Sequence, residues 1–346
     1  MTYFPFTDAN DVGDRFLALL GRYGINPPPG SNLEEELLSL TQLLHVFSNP
    51  NIAPDDTLVE LHRAAAGVAD FAAKILSVQE ISEFDRFLPH LQLIAETKLK
   101  TASFGQNSAG AYNDDTSRKM AELYMGCLVA HLSQSVDLDS PTAAKGDNPD
   151  VIFETVPKTI PLRKEIWAFA IKTISSQSGQ TIFERIREGA KQIECCRADS
   201  GMVLINTKDA LDHDKLAASP YAKIDDALVD LKQQIVDLAE RANEHRPQSE
   251  WDDLFLSKVK RPVLFLGQSM AYISDAGGRT VPMPLRMLLA YDANGQADPH
   301  AMGLATQLNW LMQEIRHGRL ENHNGQWKPE EVPVDVPVLS PGETPN

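Results

Sequence analysis

Apolar residues recur at helical intervals through the first hundred positions of the chain. After a proline-rich segment, Ser31 or Asn32 can cap a helix whose first turn is acidic and whose leucines follow helical rather than alternating spacing. A second series of the same kind runs from Leu58 to Ile75. The pattern therefore predicts an all-helical domain over residues 1–100, a bundle of about four helices.

The pattern changes after residues 101–115, which are rich in Gly, Ser, Asn and Asp and are typical of a linker. Predicted helices then span 116–134, 180–196, 224–243 and 299–315, and predicted strands span 135–138, 150–156, 166–174, 201–206, 262–266 and 286–291. This order predicts an α+β or α/β domain over 116–327, with a mixed central sheet flanked by helices. The Pro-rich acidic tail at 328–346 is expected to be disordered.

Composition and termini narrow the class of protein. Hydrophobic residues make up 42% of the 346 positions and charged residues 23%, which is ordinary for a soluble globular protein. No uncharged apolar run approaches the roughly 18 to 20 residues of a membrane-spanning helix, and the first residues lack the features of a secretory signal. We therefore expect a cytoplasmic protein without a membrane partner.

Two further classes are excluded by motifs that the sequence lacks. Cys195 and Cys196 are adjacent and Cys127 stands alone, which argues against a disulfide framework and provides no zinc-ligand spacing. The chain contains no glycine-rich phosphate loop of either standard kind, so dependence on ATP or NAD is not indicated.

The charge distribution is uneven. The chain has 32 basic and 48 acidic residues, a net charge of −16, yet residues 158–197 contain 8 basic and 4 acidic side chains. A local excess of cations is what contact with a phosphate backbone requires, although a solvated helix face has the same composition. The candidate nucleic-acid-binding residues are Lys158, Arg163, Lys164, Arg185, Arg187 and Lys191.

Candidate chemistry falls within and beside this basic segment. Asp150 begins a predicted strand and Lys172 ends the next one, so adjacent strands would bring the two side chains to one end of the sheet. The carboxylate can hold a divalent cation, while the ammonium can position or deprotonate a water and offset phosphate charge. Glu122, on the preceding helix, could reach the same edge as a second ligand. We therefore predict Asp150, Lys172 and Glu122 as catalytic residues, with Mg²⁺ or Mn²⁺ held by Asp150 and Glu122.

The order of these residues, and of the elements that carry them, resembles the PD-(D/E)XK nuclease superfamily over residues 116–206. Asp150 matches the motif's Asp, Lys172 its Lys, and Glu122 the frequent acidic residue of the first helix, while Gln192 lies on the helix that follows. The resemblance implies a restriction-endonuclease-like fold, a Mg²⁺-type site and a phosphodiester substrate in nucleic acid, with DNA preferred over RNA.

One motif position departs from the pattern, because Ala170 stands where the second acid is expected. Glu184 or Glu188, on the following helix, could supply the missing carboxylate. Glu154 or Glu165 could do so only if the strand register placed it at the same edge. Without any replacement, the fold would bind nucleic acid or protein without cutting, and an unrelated α/β domain also remains open.

These observations favour a metal-dependent nuclease, or a nuclease-derived nucleic-acid-binding protein, that hydrolyses phosphodiester bonds. The helical domain at 1–100 is then expected to select a protein partner or the substrate. The alternative is a catalytically inactive scaffold or protein-interaction module, for which Ala170 and the net charge of −16 are the motivating facts.

Overall fold

A computed structural model describes most of the chain. The described residues are 6–48, 56–96, 102–105, 116–133, 135–141, 148–155, 164–255, 257–274, 277–278, 280–292, 297–319 and 338–339. The helices are α1 (Phe6–Arg22), α2 (Asn32–Ser48), α3 (Asp56–Ser77), α4 (Leu88–Glu96), α5 (Thr116–Ala130), α6 (Gly179–Cys195), α7 (His213–Ala217), α8 (Ile224–Asn243), α9 (Gln248–Asp252) and α10 (Pro299–Glu314). The strands are β1 (Val136–Leu138), β2 (Val151–Thr155), β3 (Glu165–Thr173), β4 (Ser200–Asn206), β5 (Val263–Ser274), β6 (Thr280–Tyr291) and β7 (Val338–Leu339).

The strands form one mixed sheet in sequence order, from β1 to β7. Neighbours pair antiparallel in β1–β2, β2–β3 and β5–β6, and parallel in β3–β4, β4–β5 and β6–β7. The predicted mixed sheet flanked by helices is therefore confirmed. No helix within the described ranges is long and apolar enough to cross a bilayer.

Both faces of the sheet are covered because side chains alternate along its central strands. On β3, Phe169 and Ile171 join an apolar cluster that includes residues of α1–α5 and α10. Ala170 points to the other face and packs in a second cluster with residues of α6 and α8. The same alternation places Leu204 and Val203 of β4 in opposite clusters.

The helical character predicted for residues 1–100 is confirmed by α1–α4. Independent folding of this region stays a prediction, and in the intact chain these helices share one apolar cluster with the sheet. Part of the predicted linker is packed against the rest of the protein. Phe104 N donates to Arg63 O at 3.1 Å, and Lys208 Nζ donates to Ser103 O at 3.1 Å. The segments 97–101 and 106–115 lie outside the described residues.

The structure differs from the sequence-based expectation in the helix predicted at 116–134, which ends at Ala130, in two strands and in the tail. The strands predicted at 262–266 and 286–291 are too short, since β5 extends to Ser274 and β6 begins at Thr280. Polar and proline residues interrupt the apolar pattern there, although pairing continues through them. The prediction that the whole tail is disordered is wrong at Val338 and Leu339, which pair with β6. The remainder of 328–346 lies outside the described residues.

A buried ion cluster joins the N-terminal helices to the sheet. Asp70 of α3 accepts hydrogen bonds from Lys74 Nζ at 2.6 Å, from Tyr124 OH at 2.9 Å and from Arg286 of β6. Lys74 Nζ also donates to the carbonyl of Met312 in α10. The charged side chains of the cluster are at most 9% exposed. The buried carboxylate of Asp70 is therefore compensated by two cations inside the protein.

We expect Asp70→Ala to lower the free energy of unfolding by about 3–5 kcal/mol, because two cations would stay buried without their carboxylate. Urea denaturation measures this loss. The matched control is Asp11→Ala, which breaks an exposed pair with Arg15 and should cost less than about 1 kcal/mol. Similar losses in both variants would contradict a stabilising role for the buried cluster.

Candidate active site

A polar pocket of about 360 Å³ opens at the edge of the sheet where β2 begins and β3 ends. The strand register creates this meeting point, because Asp150 immediately precedes β2 and β2 runs antiparallel to β3. Asp150 N donates to Phe169 O at 3.0 Å, and Ile171 N donates to Asp150 Oδ2 at 2.5 Å. The carboxylate is thereby fixed beside the end of β3, where Lys172 also lines the pocket.

Glu122 enters the pocket from α5, as the sequence predicted. The side chain is 3% exposed, and its Oε2 accepts a hydrogen bond from Lys119 Nζ at 2.7 Å. His90 Nε2, from α4, lies 3.3 Å from the same oxygen. The structure therefore brings Glu122, Asp150 and Lys172 to one pocket.

Burial and mutual repulsion shift the pKa values of these groups. Burial, together with the charge of Glu122, raises the pKa of Asp150 to about 8. Burial also raises the pKa of Glu122, opposed by the nearby Lys119. Burial lowers the pKa of Lys172, opposed by Asp150, and burial lowers the pKa of His90 to about 4, so its ring is neutral near pH 7. Two carboxylates held this close favour a cation or a shared proton between them.

Helix α6 forms another wall of the pocket. Glu188 and Gln192 both line it, and Gln192 is buried. Arg185 also lines the pocket and donates to Glu188 at 2.7 Å. Glu184 does not line it, because its carboxylate accepts from Gln180 at 2.7 Å on the exposed face of the helix. Of the two acids predicted on α6, the structure brings only Glu188 to the pocket.

The other acids considered as replacements lie elsewhere. The register pairs Glu154 with Ile166 and Thr155 with Glu165. Both glutamates therefore lie where β2 ends and β3 begins, at the opposite end of these strands from the pocket. Glu154 there accepts from Lys164 at 2.8 Å. The strand register therefore does not bring Glu154 or Glu165 to the edge of the sheet that bears Asp150, and neither supplies a carboxylate to the pocket.

Ala170 is fully buried in the apolar cluster beneath α6. A Cβ added to Gly189 of α6 would lie 3.3 Å from the Ala170 Cβ and 2.9 Å from Val203 Cγ1. The helix therefore packs so closely on this face of β3 that a longer side chain at position 170 has no room. An acid at position 170 would therefore not fit this packing.

The basic segment contributes less to the pocket than its charge suggested. Lys158 and Arg163 lie outside the described residues. Lys164 sits at the far end of β3, Arg187 lies 3.6 Å from Glu184 on the exposed face of α6, and Lys191 is exposed outside the pocket. Of the six predicted nucleic-acid-binding residues, the described structure places Arg185 at the pocket.

Two other cations reach the pocket from outside that segment. Arg118 and Lys119, on the first turn of α5, both line it, and neither was predicted as a site residue. The sequence could have indicated both residues, because Arg118 and Lys119 stand four and three positions before Glu122, and residues at these spacings share a helix face. His90 gave no such signal, since no spacing links a residue of α4 to a residue of α5.

The acidic and basic groups of the pocket balance. Four acids and four cations line it: Glu122, Asp139, Asp150 and Glu188, and Arg118, Lys119, Lys172 and Arg185. Across the part of the chain that the structure describes, no group of three or more His, Cys, Asp or Glu side chains could hold a metal ion. Mg²⁺ often uses only one or two protein carboxylates and keeps several waters. The pocket supplies two carboxylates for an open site of this kind, those of Glu122 and Asp150.

Comparisons with protein-family models, with curated proteins and with solved structures found no match to this chain. The function therefore has to be inferred from the pocket itself.

The raised pKa of Asp150 predicts a pH-dependent gain in stability for Asp150→Asn. The carboxyl titrates near 3.8 in the unfolded chain and at about 8 in the folded protein, so wild-type stability falls as pH rises between these values. The asparagine can still accept from Ile171 N but carries no charge. Its advantage over wild type should grow with pH by at most about 1.4 kcal/mol per unit and level off above pH 8.

Thermal and urea unfolding in EDTA from pH 4 to 9 would measure this gain. Asp150→Ala serves as the control, since it removes both the charge and the hydrogen bond. A stability difference between Asp150→Asn and wild type that does not change with pH would contradict the prediction.

The packing at Ala170 predicts that Ala170→Glu cannot place a carboxylate at the pocket. The carboxylate would be forced against α6 in an apolar cluster, and we expect a loss of at least about 3 kcal/mol in unfolding free energy. Ala170→Ser, which adds one small polar atom, is the matched control and should cost less. A stable Ala170→Glu protein that gains cation affinity would overturn this interpretation.

Proposed function

We propose that the protein is a metal-dependent nuclease, or a nuclease-derived nucleic-acid-binding protein, of the PD-(D/E)XK type. The observation that carries the proposal is the convergence of Asp150, Lys172 and Glu122 in one pocket at the edge of the sheet. Gln192 and Glu188 join them from the following helix. The class of reaction proposed is hydrolysis of a phosphodiester bond.

Each side chain has a distinct part in this proposal. Asp150 and Glu122 would hold a divalent cation, with Gln192 as a neutral oxygen ligand. A bound cation would stabilise negative charge on the phosphate and lower the pKa of a coordinated water. Lys172, whose pKa is lowered by burial, would orient the attacking water or accept its proton. Arg185 would contact a phosphate at the mouth of the pocket.

A second candidate function is a catalytically inactive binding module that keeps the same pocket. Two observations favour it: Ala170 is packed in an apolar cluster, and Lys119 already neutralises Glu122. Both reduce the negative charge available to a cation. This candidate predicts binding of nucleic acid or protein without cleavage.

The test is incubation of the purified protein with single- and double-stranded DNA and RNA, in Mg²⁺, in Mn²⁺ and in EDTA. Under the nuclease proposal, Asp150→Ala and Lys172→Ala should each lower the cleavage rate by at least about 100-fold, because both act on the reacting groups. Glu188→Gln should reduce the rate, whereas Glu184→Gln should leave it unchanged.

Lys164→Ala is the matched control for Lys172→Ala, since it removes the same charge at the other end of β3. Full cleavage by either Asp150→Ala or Lys172→Ala would eliminate the nuclease assignment. Binding without cleavage by the wild type, in every metal tested, would favour the inactive binding module.

A further inference from the structure

The pocket already contains a cation at one of its two proposed metal ligands. We propose that Lys119 is a built-in counter-ion that competes with a divalent cation for Glu122, so that metal loading requires the ammonium to leave. This inference rests on the proposed function and concerns the regulation of the same pocket. Lys119 Nζ lies 2.7 Å from Glu122 Oε2, and both side chains line the pocket.

The Lys119–Glu122 pair differs from other ion pairs of its kind in the protein. Its two side chains are 8% and 3% exposed. On α6, the pair Arg185–Glu188 has the same spacing of three residues, but its side chains are 38% and 52% exposed. An exposed pair on a helix gains little and is easily broken. The ammonium of Lys119 is instead held at a carboxylate inside the pocket, where charges interact strongly.

The surroundings of Glu122 fix the position of this ammonium. His90 Nε2 lies 3.3 Å from the oxygen that accepts from Lys119, and the ring does not line the pocket. His90 and Lys119 therefore contact the same oxygen of Glu122, and of the two only Lys119 lines the pocket. A divalent cation at Glu122 and Asp150 would lie beside the Lys119 ammonium, and the two positive charges would repel each other.

A purely structural role for the pair makes a different prediction. If Lys119 served only to stabilise α5 or to keep Glu122 ionised, its removal would weaken cation binding or leave it unchanged. If Lys119 occupies the cation's place, its removal must strengthen binding. The sign of the change in cation affinity therefore separates the two roles, without reference to cleavage.

The experiment is calorimetric titration of Mn²⁺ into wild type, Lys119→Gln and Arg118→Gln at pH 8. Lys119→Gln should bind Mn²⁺ with a dissociation constant at least tenfold lower than wild type, about 1.4 kcal/mol. Arg118→Gln removes the same charge from the adjacent pocket residue and should change the constant by less than threefold. Equal or weaker binding by Lys119→Gln, or equal tightening in both variants, would overturn the proposal.

Two additions keep the test decisive if Lys119→Gln folds poorly. Lys119→Met retains the long apolar stem and should tighten Mn²⁺ binding in the same way. In the wild type, saturating Mn²⁺ should free the ammonium and raise the rate at which an amine-acetylating reagent modifies Lys119, as read by mass spectrometry, with exposed Lys164 as the unaffected reference. An unchanged Lys119 rate in Mn²⁺-bound protein would refute the displacement.

The outcomes also distinguish the failure of this inference from failure of the proposed function. Mn²⁺ binding that is lost in Asp150→Ala but is not tightened by Lys119 variants leaves the metal site standing and removes the counter-ion role. If neither the wild type nor either Lys119 variant binds Mn²⁺, both the counter-ion role and the proposed metal-dependent function are overturned. Binding that emerges only when Lys119 is replaced supports the counter-ion role directly.

Discussion

The close packing of α6 on β3 and β4 is the constraint on which the pocket depends. Gly189, Ala170 and Gly201 meet at this contact, and a Cβ on Gly201 would lie 2.7 Å from Ala168 O and 2.8 Å from Ile193 Cγ2. Only small residues allow the helix to approach so closely. The approach brings the α6 side of the pocket over the sheet edge, and it also leaves no space for an acid at position 170. The same contact therefore places one wall of the pocket and restricts position 170 to a small residue.

Much of the fold could be predicted from the sequence because periodicity reports which faces are buried. Helix α8 was predicted at its observed bounds, and β2, β3 and α6 within one residue. The predicted strand end is wrong where a strand contains buried polar side chains that form hydrogen bonds within the protein. Ser269 interrupts the apolar pattern of β5, yet it is buried with its Oγ 2.8 Å from His213 Nδ1. Only tertiary structure supplies such a partner, so sequence alone ends the strand too early.

The sequence predicts the parts of the candidate site that follow from strand order. It does not predict the parts that depend on contacts between elements far apart in the sequence. Asp150 and Lys172 flank consecutive strands, so their meeting follows from antiparallel pairing. Glu184 and Glu188 share a helix face by spacing, but the crossing of α6 over the sheet decides that Glu188 reaches the pocket. His90 is buried, and its contact with Glu122 joins two helices that no sequence pattern relates.

The buried carboxyls of Asp70 and Asp150 have pKa values shifted in opposite directions, and this difference distinguishes their surroundings. At Asp70 burial would raise the carboxyl pKa, but Arg286 and Lys74 outweigh it and hold that pKa below its usual range. That carboxylate is fully compensated and suits a structural function. At Asp150 burial and a second carboxylate raise the pKa to about 8, although Lys172 and Lys119 are near. A carboxyl whose pKa is raised this far beside an open pocket is typical of a functional site, because its proton or its charge stays available to a bound ligand.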